Sequence, residues 1–142
     1  IRLNKLAVKQ LKYLFLKGFI VTDKIIVEYF EMWVKRDFTQ LQRIFSSNIT
    51  YHECTGAMYI GMIELKAWIT ASLQKQTVLM WQIKNIQQID TQTFFVEWFF
   101  KARETQTYCF DGVSKIQFDN HKIIAIDEYA AKHNIYRPYQ KN

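Results

Sequence analysis

Thr93-Phe94-Phe95-Val96-Glu97-Trp98-Phe99-Phe100-Lys101-Ala102-Arg103-Glu104 is followed, after Thr105-Gln106, by Thr107-Tyr108-Cys109-Phe110-Asp111-Gly112-Val113-Ser114-Lys115-Ile116-Gln117-Phe118-Asp119. Runs rich in β-branched and aromatic residues, separated only by short polar clusters, read as strands joined by hairpins. Residues 78–89 before this pair and 122–131 after it have the same character. The breaks fall at Asp90-Thr91-Gln92, Glu104-Thr105-Gln106 and Asn120-His121. Four successive antiparallel strands are expected. From Phe94 to Phe100 apolar residues occupy both parities, so one face fills the domain interior and the other needs cover. That pattern predicts a homodimer through the outer face of the sheet.

The sequence upstream of these runs has helical spacing. Thr22 or Asp23 can cap a helix whose stripe is Ile26, Tyr29, Phe30, Trp33 and Val34. A shorter helix is expected over residues 38–45, then a strand through Ile49-Thr50-Tyr51-His52-Glu53. A turn at Gly56 and Gly61 leads into a third helix carrying Ile63, Ala67, Trp68 and Leu73, to about Lys75. Helices first and sheet second is an α+β layout. A strongly curved antiparallel sheet wrapped around these helices would enclose one cavity, lined by alternate strand positions.

The net charge of +6 is unevenly spread. Arg2, Lys5, Lys9, Lys12 and Lys17, with no acid among them, place most of it in the first 20 residues. The body is nearly neutral, which argues against a nucleic-acid-binding surface. Leu3, Leu6, Ala7, Leu11 and Leu14 make residues 1–21 a basic amphipathic helical extension to a single domain over 22–142. Such a helix either meets a membrane or nucleic acid, or packs on the body or a neighbouring chain. No apolar run reaches the length of a membrane span. Cys54 and Cys109 match no zinc or redox spacing and read as reduced thiols of a cytoplasmic protein.

Glu53 stands out, because alternation places its carboxylate on the face of Ile49 and Tyr51, where desolvation opposes ionisation. Apolar neighbours such as Trp33 and Trp81 would raise its pKa and suit it to act as a general base. Tyr29 and Ser114 could donate hydrogen bonds to an oxygen gaining negative charge. Glu128 could serve as a second acid or bind polar ligand atoms. Each has a plainer reading: a tyrosine on a helix stripe is commonly a core residue, and a one-residue register change turns Ser114 and Glu128 outward. Trp33, Trp68, Trp98 and Phe110 are core or cavity wall. His52 faces away from Glu53, His121 lies in a turn and His133 near the end of the chain, so no metal site is expected. No phosphate loop, nucleophile elbow or dinucleotide fingerprint is present, and no cofactor is expected.

Several segments together resemble the SnoaL-like division of the nuclear transport factor two-like superfamily, a cone-shaped (cystatin-like) α+β barrel. The resemblance is carried by Trp33-Val34-Lys35-Arg36-Asp37-Phe38 leading to Leu41 and Phe45, by Gly56 and Gly61 before the Trp68 helix, and by Val96-Glu97-Trp98. Phe110-Asp111-Gly112-Val113-Ser114, Phe118-Asp119 and Glu128-Tyr129 complete it. By this resemblance Glu53 stands where ketosteroid isomerase carries its proton-shuttling aspartate, and Tyr29 where it carries its oxyanion-binding tyrosine. Ser114 replaces the protonated aspartate of that enzyme, and a serine hydroxyl is the weaker donor. The resemblance implies a pocket for a small apolar or amphipathic ligand, with cofactor-independent isomerase, cyclase or lyase chemistry on a carbonyl substrate. It equally admits a non-catalytic ligand-binding module, or an interaction domain using the convex sheet face.

Overall fold

The computed structural model describes residues 21–141. The basic extension and its expected helix therefore lie outside the described residues, apart from Val21. Helix α1 occupies residues 21–35 of the described chain. Because Val21, Thr22 and Asp23 are already helical, neither Thr22 nor Asp23 is the cap that the sequence suggests. Four of the five expected stripe residues, Ile26, Tyr29, Phe30 and Trp33, are buried, with Ile25 and Met32 beside them, whereas Val34 is exposed at the end of the helix.

Arg36 ends α1 in the left-handed region at φ 56°, and the Asp37 N–H bonds the Met32 carbonyl at 3.1 Å, a Schellman-type closure. A non-glycine residue at this position costs about 1–2 kcal/mol. The Arg36 guanidinium offsets that cost by donating to the carbonyls of Leu73 and Gln76 at 2.6 and 3.0 Å. Those carbonyls lie at the C-terminal end of α3, where backbone acceptors lack helical partners and a cation is favoured. One side chain thus joins two helix ends.

The expected helix over 38–45 is shorter, α2 at Leu41–Ile44, and strand β1 begins early at Phe45 and runs to His52. Phe45 is buried and extended, so its packing on the sheet side overrides the helical spacing. Strand β2 (Met58–Ile60) and helix α3 (Gly61–Lys75) follow, then β3 (Thr77–Gln88), β4 (Thr93–Arg103), β5 (Thr107–Asp119) and β6 (Lys122–Ala130). The last four match the four apolar runs to within two residues at each end.

The sheet order is β2-β1-β6-β5-β4-β3. The four strands from β3 onward pair antiparallel, as do β1 and β2, while β1 and β6 pair parallel. The four expected strands are antiparallel as the sequence predicts, and the parallel β1–β6 pair joins the earlier strands to their edge. It joins strands far apart in the chain, where no hairpin dictates direction. At the β3–β4 turn Asp90 Oδ1 accepts from the Gln92 and Thr93 N–H groups. The β5–β6 turn uses Asn120 and His121 at φ 46° and 62°, both positive, as a two-residue hairpin of the primed type requires. Extra residues in β1, β3 and β6 shift the register and add bends to the sheet, which curves around α1 and α3 into a cone.

Alternation then sorts side chains. Phe94, Val96, Trp98 and Ala102 point into the cone, whereas Phe95 and Glu97 are exposed outside it. Among the described residues, no helix is long and apolar enough to cross a membrane.

Candidate functional site

A cavity of about 140 Å³ opens between the concave face of the sheet, α1, α3 and the turn after β1. Trp33 from α1, Trp68 from α3, and Trp98, Phe110 and Glu128 from the sheet line it, together with Trp81, Phe100 and Tyr108. The turn supplies Glu53, Cys54 and Thr55. Tyr29 and Ser114 are not among the lining residues. Tyr29 is buried one layer behind the wall, and the Ser114 hydroxyl accepts the Trp98 indole N–H at 2.9 Å.

Glu53 lies just past the end of β1 and is half-buried, so the strand alternation that places it on an apolar face stops one residue short of it. The turn holds it through its N–H to the Ala57 carbonyl (2.8 Å) and its carbonyl from the Gly56 N–H (2.9 Å). Gly56 adopts φ 97°, which other residues reach only with strain. The Tyr59 hydroxyl donates to Glu53 Oε2 at 2.8 Å. The Tyr59 ring stacks on Trp68, with centroids 4.8 Å apart. Burial and the Glu53 carboxylate push the Tyr59 phenol well above its ordinary value.

The carboxyl that the fold does bury is Glu128. It sits on the inward face of β6, opposite Ser114 of β5, and is only 7% exposed. Tyr51 of β1 donates to its Oε1. Behind Tyr51 the Tyr29 hydroxyl donates to the Tyr51 hydroxyl at 2.7 Å, and Trp33 Nε1 donates to Tyr29 at 3.0 Å. Each donor in this chain points toward the carboxyl group, and each hydroxyl both gives and accepts. Burial raises the Glu128 pKa to about 7. Tyr51 and the Cys54 backbone N–H pull it down, and the neighbouring Glu53 charge pushes it up. The phenols of Tyr29 and Tyr51 are held protonated first by burial and then by the Glu128 charge. Burial also pushes the Cys54 thiol up to about 11.

Chemically, the cavity combines a carboxyl group able to hold or release a proton near neutrality with a second carboxyl at its rim. The sequence names Glu128 and the tryptophans but does not single out Tyr51, Tyr59 or Cys54. Tyr51 carries a usable signal, since it shares the buried face of β1 with Ile49. Trp81 packs on Phe30 at 4.1 Å between centroids, and its indole N–H is buried without a partner among the described residues. Among those residues no cluster of three or more His, Cys, Asp or Glu could hold a metal ion.

Among curated proteins none matches the chain in sequence. Solved structures share its fold. A protein assigned as a polyketide cyclase from Xanthomonas campestris superimposes with a TM-score of 0.68 at 12% identity, covering 79% of this chain and 91% of its own. An LEH-like epoxide hydrolase of M. tuberculosis gives 0.71 at 11% identity, covering 79% and 84%. A protein of ketosteroid isomerase-like fold from Catenulispora acidiphila, in complex with trimethylamine, gives 0.66 at 14% identity, covering 74% and 83%. Residues 26–126, which span the cone from α1 to β6, match the SnoaL-like domain, and the chain belongs to that family.

Proposed function

We propose that this SnoaL-like pocket protein binds a ligand about one ring in size and that Glu128, in place of Glu53, exchanges a proton with it. The single observation that carries this reading is a carboxyl group buried in an aromatic cavity wall with its pKa raised to about 7. A group titrating there is available as either acid or base at neutral pH, worth roughly 10²–10⁴-fold in rate when positioned against a reacting atom. The Trp33–Tyr29–Tyr51 chain ends in the core, so it fixes the carboxyl orientation and is not a route to solvent. Glu53 at the rim raises the proton affinity of Glu128 by its charge and meets the polar end of a ligand.

A cavity of about 140 Å³ is close to the ~150 Å³ that accommodates a benzene ring and well below the ~300–1,000 Å³ that encloses drug-sized molecules. A multi-ring substrate would have to leave most of its body outside. A second reading, ligand binding without chemistry, is favoured by the hydroxyls of Tyr29 and Ser114. Tyr29 donates its hydroxyl hydrogen to Tyr51, and Ser114, which accepts from Trp98, is buried away from the cavity lining, so neither is placed to donate to an enolate oxygen in the cavity. The proposal extends to a homodimer closed over the outer sheet face, where Met80, Phe95 and Tyr129 are exposed. It also extends to a cytoplasmic setting, in keeping with two free cysteines.

The reading is tested by offering small cyclic enones and epoxides to the wild-type protein and to Glu128→Gln. Deuterium exchange from solvent and epoxide hydrolysis are followed by mass spectrometry. Turnover by the wild type is expected to fall at least about 100-fold in the variant. Equal rates in the two proteins would eliminate Glu128 as the proton carrier, and no turnover above buffer by either would favour the binding reading.

A further inference from the structure

The cavity wall carries a charge pattern that proton transfer alone does not use. Of the lining residues, seven are aromatic, two are the carboxylic acids Glu53 and Glu128, and none among the described residues is Lys, Arg or His. Four of the aromatics are tryptophans. The indole N–H of Trp33 is committed to Tyr29, that of Trp98 to Ser114, and that of Trp81 is buried. These three side chains therefore present ring surface to the cavity and keep their donors out of it.

The rings are set as walls. Trp81 stands at 87° to Trp98 and 88° to Phe100, with centroids 5.7 and 5.6 Å apart, so the sheet side of the cavity is built of corners. On the helix side Trp33 and Trp68 lie 5.1 Å apart, tilted by 59°. The faces of aromatic rings carry negative partial charge, and tryptophan attracts a nearby cation most strongly. Glu53 adds negative charge to the same space, and Glu128 gives up its proton more readily when a cation lies beside it. An anionic ligand would meet acidic groups with no basic group to offset them, and a neutral one would gain hydrogen bonds from them but no charge attraction.

The geometry points to a compact organic cation, a protonated tertiary amine or a quaternary ammonium free in solution, as the ligand class of this cavity. This inference rests on the reading that the Glu128 cavity is the working site. The volume of about 140 Å³ suits a trimethylammonium group with a short arm.

Titration calorimetry with three probes of one shape decides the matter. They are choline, its neutral carbon isostere in which a tert-butyl group replaces the trimethylammonium, and pivalate as the anion. Choline is expected to bind at least tenfold more tightly than the neutral isostere, with pivalate weakest. Glu128→Gln, checked for its fold by circular dichroism, is expected to cost choline about tenfold and to leave the neutral isostere within about twofold. Phosphatidylcholine vesicles present the same cation at a surface and are expected not to compete. Competition by them would overturn the assignment to a free cation. Equal or tighter binding of the neutral isostere, or no binding of choline at millimolar concentration, would overturn the cation class. The comparison among probes on the wild-type protein stands even where the variant fails to fold. Failure of the enone and epoxide assays with the choline preference intact would remove the proton-transfer reading alone, and the converse result would remove this one alone.

Discussion

A carboxyl group enclosed by indole and phenol rings holds its proton into the neutral range, and at Glu128 this changes how stability depends on pH. Its ordinary value is 4.5 and its folded value about 7. Below pH 4.5 the group is protonated in both states; between the two values only the unfolded chain ionises; above 7 both ionise. The native state binds more protons across that window, so stability falls as pH rises through it, by roughly 3 kcal/mol from this one group. Glu128→Gln cannot titrate and keeps an oxygen to accept from Tyr51. Urea unfolding at pH 4.5 and 8 is expected to show the variant gaining on the wild type by about that amount at the higher pH. A difference independent of pH would show that Glu128 ionises normally in the folded protein.

At the scale of elements, the cavity depends on strands whose side chains fit one another across the sheet. Gly112 of β5 pairs with Trp98 of β4, and a Cβ there would lie 2.3 Å from Trp98 Cη2 and 2.5 Å from the Tyr129 carbonyl oxygen. The indole lies over the glycine, which leaves its N–H in reach of Ser114 on the same strand. Gly112→Ala cannot be relieved by a rotamer change alone, because one of the contacts is backbone. The substitution is expected to destabilise the protein by about 1–3 kcal/mol and to shift Trp98 off Ser114. Urea denaturation reads the first effect and tryptophan fluorescence the second. An unchanged midpoint would mean that β5 and β6 separate easily, contrary to tight strand packing. The Arg36 link between the ends of α1 and α3 is the corresponding device on the helix side of the cone.

For the whole molecule, the outer sheet face is the unresolved surface problem. Met80 of β3, Phe95 of β4 and Tyr129 of β6 are 43%, 36% and 57% exposed. Phe95 and Tyr129 lie on parities opposite to the buried Phe94 and Glu128, and the register shift between Val78 and Met80 sets Met80 opposite Lys101 instead of the buried inward row. A stable interface buries about 800 Å² per partner, with aromatic anchors near its centre. Sedimentation equilibrium at micromolar concentration is expected to give a dimer, and Tyr129→Lys to weaken association at least tenfold. A wild-type monomer would contradict the proposed homodimer. The substitution lies outside the cone, so binding in the cavity is expected to survive it.

The four runs after residue 77 were legible in the sequence almost to their ends, because period-two alternation and polar turn residues act locally and need no tertiary contact to be read. The apolar stripe of α1 and the length of α3 were legible for the same reason. Residue types for an aromatic pocket with inward carboxylates were also visible, including Trp33, Trp68, Trp98, Phe110 and Glu128, which all line the cavity. Which carboxylate is buried was not. Local alternation favoured Glu53, but β1 ends at His52 and the turn carries Glu53 to the rim, while pairing of β6 with both β1 and β5 encloses Glu128. The Tyr29–Tyr51–Glu128 chain joins residues up to 99 positions apart, and no periodicity encodes such a contact. Alternation decides which side of a strand a residue occupies; only the closing of the sheet into a cone decides which of those sides loses its water.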